Sequence, residues 1–246
     1  MSDEHEIEDE WDFYQCRVND LPASILINLR FMFEDPRDEN DHVHHALLVM
    51  KDLGPQNIGT QAEMERLSPI EDAIFDRADK AGAQAVGRVR GEGVWRLSVY
   101  GPKDLPWASW VHELAGTDVE VQSDHDPDFD YVNDFLLPDA ERHQWIMDRR
   151  VCDQLLKHED DPSLPRLVNH FVDYEGETPT ALIEAVKALG FDVNDSGTAL
   201  ECIKLHDTQV DTVHEVAMTL VELADQYDAM YDGWGAPVTK ATSGVN

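Results

Sequence analysis

The chain has 246 residues, 42% hydrophobic and 8% aromatic, enough apolar material to close one large core or two ordinary ones and too much for a disordered polypeptide. Its 51 acidic residues against 19 basic ones leave a net charge of −32, spread over both halves. A surface of that sign repels phosphate backbones, so direct nucleic-acid binding is not expected; it serves solubility or tolerance of salt, and it attracts cations, whether metal ions or a basic segment of a partner protein.

Residues 11–17, 23–33 and 44–51 are apolar-periodic runs separated by Asn19-Asp20-Leu21-Pro22 and by the polar stretch 34–41, and they read as three antiparallel strands. Residues 61–80 carry Met64, Leu67, Ile70, Ala73, Ile74 and Ala78 at helical spacing. Pro69 should bend that helix or set its true start. Residues 85–90 and 94–100 flank Gly91-Glu92-Gly93 as a hairpin, residues 107–114 suit a short helix, and 119–122 suit a last strand. An Asp-rich stretch follows, read as a solvated linker, and the domain boundary is expected near Leu137, giving domains 1–137 and 138–246.

Pro138 opens a helical pattern in which Trp145, Ile146, Val151, Leu155 and Leu156 share a face. Residues 166–174 then read as strand, 178–189 as helix, 191–194 and 200–205 as strands, and 209–231 as a long helix whose core stripe includes Val210, Val213, Ala217, Leu220, Tyr227 and Met230. Gly190 is the expected helix stop, and residues 233–238 could add an edge strand. The order predicts an α+β fold: two α/β sandwiches with antiparallel sheets, the second ferredoxin-like with an extra N-terminal helix.

Cys16, Cys152 and Cys202 are widely spaced and form no CxxC pair, so free thiols in a reducing compartment are expected. No window approaches the roughly 18 apolar residues of a membrane span, and the acidic start lacks the regions of a signal peptide; no membrane contact and a cytoplasmic location are expected.

Asp148-Arg149-Arg150-Val151, Pro165-Arg166-Leu167-Val168-Asn169-His170-Phe171, Gly190-Phe191 and Tyr231-Asp232-Gly233-Trp234 occur in an order that resembles the RraB family of ribonuclease E regulators, over roughly residues 138–238. Asn169 and Phe171 depart from the acidic residue and the Trp usual there. The resemblance implies an α+β sandwich that binds ribonuclease E as a protein inhibitor and performs no chemistry. Trp11-Asp12-Phe13-Tyr14, Pro22-Ala23-Ser24-Ile25, Ile70-Glu71-Asp72 and Val86-Gly87-Arg88 resemble the domain-of-unknown-function family 695, which implies no activity.

Arg166, His170 and Tyr174 alternate onto one side of a strand and, with Asp232 and Trp234, form the candidate partner-binding set. If that side is open they make a recognition patch; if it is covered, Arg166 and His170 must pair with acids such as Asp148 or Asp232. Trp234 is either a lid over the core's end or an aromatic anchor. His42 and His44 also share a side and could hold a metal, which would need a third ligand. The ladder Asp124, Asp126, Asp128, Asp130 lacks the glycine and the bidentate glutamate of a calcium loop. The glycines between 87 and 93 lack a phosphate-loop sequel, and no nucleophile sits in a catalytic signature. The favoured expectation is a non-enzymatic regulator without a cofactor, whose acidic surface binds a basic segment of ribonuclease E or a similar enzyme. A metal-assisted hydrolase using His42 and His44, and an immunity-like neutralising protein, are the alternatives.

Overall fold

The computed structural model describes residues 9–177 and 179–240. The predicted helix start at Thr178 and the first eight residues of the acidic start lie outside them. The chain forms two compact units, Met1–Pro138 and Asp139–Asn246.

The first unit is a six-stranded antiparallel sheet in the order β1-β2-β4-β5-β3-β6. Its strands are β1 (Trp11–Val18), β2 (Leu21–Asn28), β3 (His42–Val49), β4 (Gln84–Gly91), β5 (Val94–Gly101) and β6 (Glu120–His125). Asn19-Asp20 and Glu92-Gly93, all at positive φ, make the two tight hairpin turns, as the right-handed twist of the strands demands. The run predicted as strand over 23–33 ends at Asn28, whose side chain accepts from the Arg30 N–H and starts a 3-10 turn, Leu29–Met32.

Helix α1 (Gln61–Lys80) starts at the N-cap Thr60, so Pro69 lies inside it and does not set its start. With α2 (Trp107–Ala115) it covers one face of the sheet, burying Leu48, Leu67, Ile74, Trp95, Leu97, Val99, Trp107 and Val111. The same interface holds charge. Arg88 and Trp95 both donate to the Glu71 carboxylate, at 3.1 and 2.6 Å, while Arg90 lies over the Trp95 ring and donates to Ser24.

The Asp-rich stretch is not a solvated linker. Asp126 accepts from the Tyr100 hydroxyl and from the N–H groups of Asp130 and Tyr131, which starts a π-helical turn, Tyr131–Leu136. Phe129, Val132 and Leu136 are buried, and the Leu136 carbonyl accepts from Tyr14. Apolar residues spaced between the aspartates overrode the composition. Gly87 admits this turn, since a Cβ there would lie 2.7 Å from the Leu26 carbonyl and 3.1 Å from Leu136.

In the second unit, helix α3 (Ala140–Lys157) is capped by Asp139. It precedes β7 (Arg166–Tyr174), α4 (Thr180–Ala188), β8 (Asp192–Asp195), β9 (Ala199–His206), α5 (Val210–Asp225) and β10 (Ala229–Gly235). The sheet order β10-β7-β9-β8, antiparallel throughout, is the ferredoxin-like arrangement with one added helix. Val213, Ala217, Leu220 and Ala224 of α5 are buried, and Gly190 ends the α4 segment at φ +85°. The long helix predicted to reach Tyr231 stops at Asp225. Asp228, at φ +54°, turns the chain, and from Ala229 the side chains alternate with a period of two, so Met230 is exposed and belongs to no helix stripe. Cys152 and Cys202 are buried free thiols, and burial pushes them up to about 12 and about 11; Cys16 is half-buried.

Candidate functional site

The alternation of β7 decides where the candidate residues go. Arg166, Val168, His170, Val172 and Tyr174 are all buried, so their side is the one covered by helices. Arg166 does pair with an acid there, but the acid is Asp160 and not Asp148 or Asp232. Its guanidinium also donates to the carbonyls of Asp161, Leu164 and Pro237, tying the α3–β7 loop to the end of β10. Among the described residues, His170 pairs with no acid. Its ring nitrogens meet the Tyr231 hydroxyl at 2.8 Å and His206 Nε2 at 3.1 Å, and burial first, then the neighbouring His206, pushes it down to about 3, so it is neutral. Tyr174 donates to Asp195 at 2.6 Å.

Trp234 is the lid. It is 8% exposed, and its indole N–H donates at 3.1 Å to Asp148, a carboxylate with no exposed surface that also accepts from Gln144 and meets His214. Burial raises the Asp148 carboxyl in spite of these partners. The network joins α3, α5 and β10. Of the five residues chosen from sequence, only Asp232 is exposed. The structure therefore buries four of them on the covered side as internal bracing, each on partners of its own.

Among the described residues of this unit, no helix covers the other side of the same sheet. Leu167, Asn169, Phe171 and Asp173 of β7 lie opposite Leu205, Ile203, Glu201 and Ala199 of β9, and β10 adds Met230 beside Asp173. Leu167, Leu205 and Met230 are 57, 65 and 63% exposed, an apolar content that a solvated sheet face does not need. The acids of this face are Asp173, Asp192 and Glu201; no Lys or Arg alternates onto it. Glu201 is fixed near its middle, its two oxygens accepting from Asn169 and Asn194 at 2.8 and 2.9 Å. Exposed leucines on the same face as an oriented carboxylate can receive a segment carrying both apolar and basic side chains. Sequence reading missed these residues, although Leu167 and Phe171 signal a strand that is apolar on both sides.

In the first unit, His44 is buried, with its ring nitrogens at 2.7 Å from Ser123 Oγ and 3.2 Å from the Pro102 carbonyl. Burial lowers its pKa. His42 instead meets Asp41, and the register places His125 directly opposite it.

Residues 9–137 match the model described as a family of unknown function, DUF695, and residues 145–236 match that of the regulator of ribonuclease activity B, RraB. No curated protein matches the chain. The RraB match implies a regulatory role exerted through binding to protein.

Proposed function

We propose, from the premise that the chain belongs to the DUF695 family and carries an RraB module, that it is a non-enzymatic cytoplasmic regulator of an RNA-degrading enzyme of the ribonuclease E type. The open face of the second sheet is the binding surface, and its occupant is a basic, apolar-containing segment of that enzyme. The observation that supports this most is the pairing, on one uncovered face, of exposed Leu167, Leu205 and Met230 with Asp173, Asp192 and Glu201. The net charge of −32 speeds encounter with a cationic segment, and the leucines supply the area that holds it once bound. Arg166, His170, Tyr174 and Trp234 act through the shape they give the sheet.

The test is an RNA cleavage assay with purified ribonuclease E. The full chain should slow cleavage in a saturable manner, and Leu205→Lys should relieve that effect because it adds a like charge at the contact. Cleavage unaffected by the chain, or slowed equally by the variant, contradicts the proposal.

A further inference from the structure

Asp41, His42 and His125 form a cluster that the regulator reading leaves unused. One ligand atom from each lies within 4.8 Å of the others. Asp41 Oδ1 is 2.7 Å from His42 Nδ1, and its other oxygen is 3.3 Å from His125 Nε2. Two imidazoles thus converge on the two oxygens of one carboxylate, their ring centroids 4.8 Å apart. Nitrogen and oxygen ligands about 2.0–2.1 Å from a tetrahedral zinc sit about 3.3 Å from each other, so only small side-chain rotations separate this arrangement from a coordinated one.

The backbone makes the placement firm. His42 and His125 are cross-strand partners in the β3–β6 ladder, and the Asp126 N–H donates to the Asp41 carbonyl at 2.9 Å, continuing the pairing through the third ligand. The cluster is graded in exposure: the side chains of His42, Asp41 and His125 are 12, 39 and 59% exposed, so one side is walled and the other faces water. His44 is part of the wall. Its ring stacks 6.4 Å from that of His42, and both its nitrogens already have partners.

We infer that Asp41, His42 and His125 are a binding site for a divalent first-row transition cation, with the remaining coordination positions open to solvent. Two imidazole nitrogens with one carboxylate favour zinc, cobalt or nickel over magnesium and calcium, which prefer all-oxygen sets. The acidic field of the chain adds attraction for any divalent ion, but the histidines confer the selectivity. Occupation would pin β6, an edge strand that among the described residues pairs with β3 alone, to its neighbour.

The experiment is a titration of the full chain with Co2+ and with Zn2+ in excess Mg2+, which occupies the scattered acids. One equivalent should bind, Co2+ should show visible d–d bands of nitrogen–oxygen ligation, and Zn2+ should raise the thermal midpoint. His125→Ala and Asp41→Asn should each weaken Zn2+ at least about tenfold, the smallest loss expected when even an outer partner of a metal ligand is removed. They should also cancel the midpoint rise. His158→Ala, at an exposed histidine of the second unit, should leave both unchanged. His125 is largely exposed, so its variant should keep the unliganded midpoint. Absence of stoichiometric binding, or binding equally strong in His125→Ala and Asp41→Asn, overturns the site.

Discussion

Replacing Arg166 with Met keeps most of the apolar stem of the side chain and deletes its charge. The pair it breaks is buried on both sides, the side chains of Arg166 and Asp160 being 4 and 1% exposed. Loss of one partner of such a pair costs about 3–5 kcal/mol, because the remaining charge has lost water and partner together. Asp160 keeps the Thr239 N–H at 2.7 Å and the Thr208 hydroxyl at 3.3 Å, which places the expected loss near the lower end, about 3 kcal/mol. For a unit of this size that is a fall in thermal midpoint of roughly 12 °C or more. The loss should also depend on pH. Burial pushes the Asp160 carboxyl up, but the Thr239 N–H and Arg166 outweigh it and hold the group below the usual carboxylate range. A depressed acid contributes stability above about pH 4 that disappears as pH falls through its folded value. Without Arg166 the carboxyl rises and protonates earlier, so the difference between variant and parent should shrink toward pH 4. Urea unfolding followed by circular dichroism near neutrality and near pH 4.5 measures both. A loss under about 1 kcal/mol, or one that does not change with pH, would show that the buried Arg166–Asp160 pair does not hold the unit together.

His170 titrates at about 3 in the folded chain, so the unfolded chain binds the extra proton below about pH 6.5 and stability falls as pH drops through that window. His170→Gln should therefore lose less relative to the parent at pH 5 than at pH 7.5, by ~2 kcal/mol, and a gap independent of pH would count against a neutral buried ring. Glu71→Gln, which leaves the buried Arg88 without its carboxylate and Trp95 with a neutral acceptor, should cost about 3–5 kcal/mol in urea unfolding, while an equally stable variant would show the charge to be dispensable. Leu205→Lys, at a side chain 65% exposed, should change folding stability by no more than about 0.5 kcal/mol, so that any loss of binding reports the surface; a large destabilisation would show that the face is covered.

Local chemistry made most elements legible: the Asn19-Asp20 and Glu92-Gly93 turns, the amphipathic α1 and α3, and the alternation of β7. What failed had tertiary causes. The stretch from Ser123 to Asp134 reads as solvated because aspartate dominates it, yet Phe129 and Val132 pack under the sheet while Asp126 closes the turn with its side chain. The end of α5 was hidden because Tyr227 and Met230 continue a helical spacing across a turn that depends on one left-handed aspartate. At the candidate site, alternation correctly put Arg166, His170 and Tyr174 on one side, but spacing says nothing of which side the helices cover. Asp160 as the partner of Arg166, and His125 as that of His42, are meetings between distant segments that only the ladder and loop register reveal.

The open face of the second sheet is tested most directly by the dissociation constant between the full chain and ribonuclease E, measured at low and moderate salt for the parent, Leu205→Lys and Glu201→Gln. Binding should weaken as salt rises, be lost in Leu205→Lys, and in Glu201→Gln be weaker with a shallower dependence on salt. Binding of undiminished strength in both variants, or indifferent to salt, would contradict it.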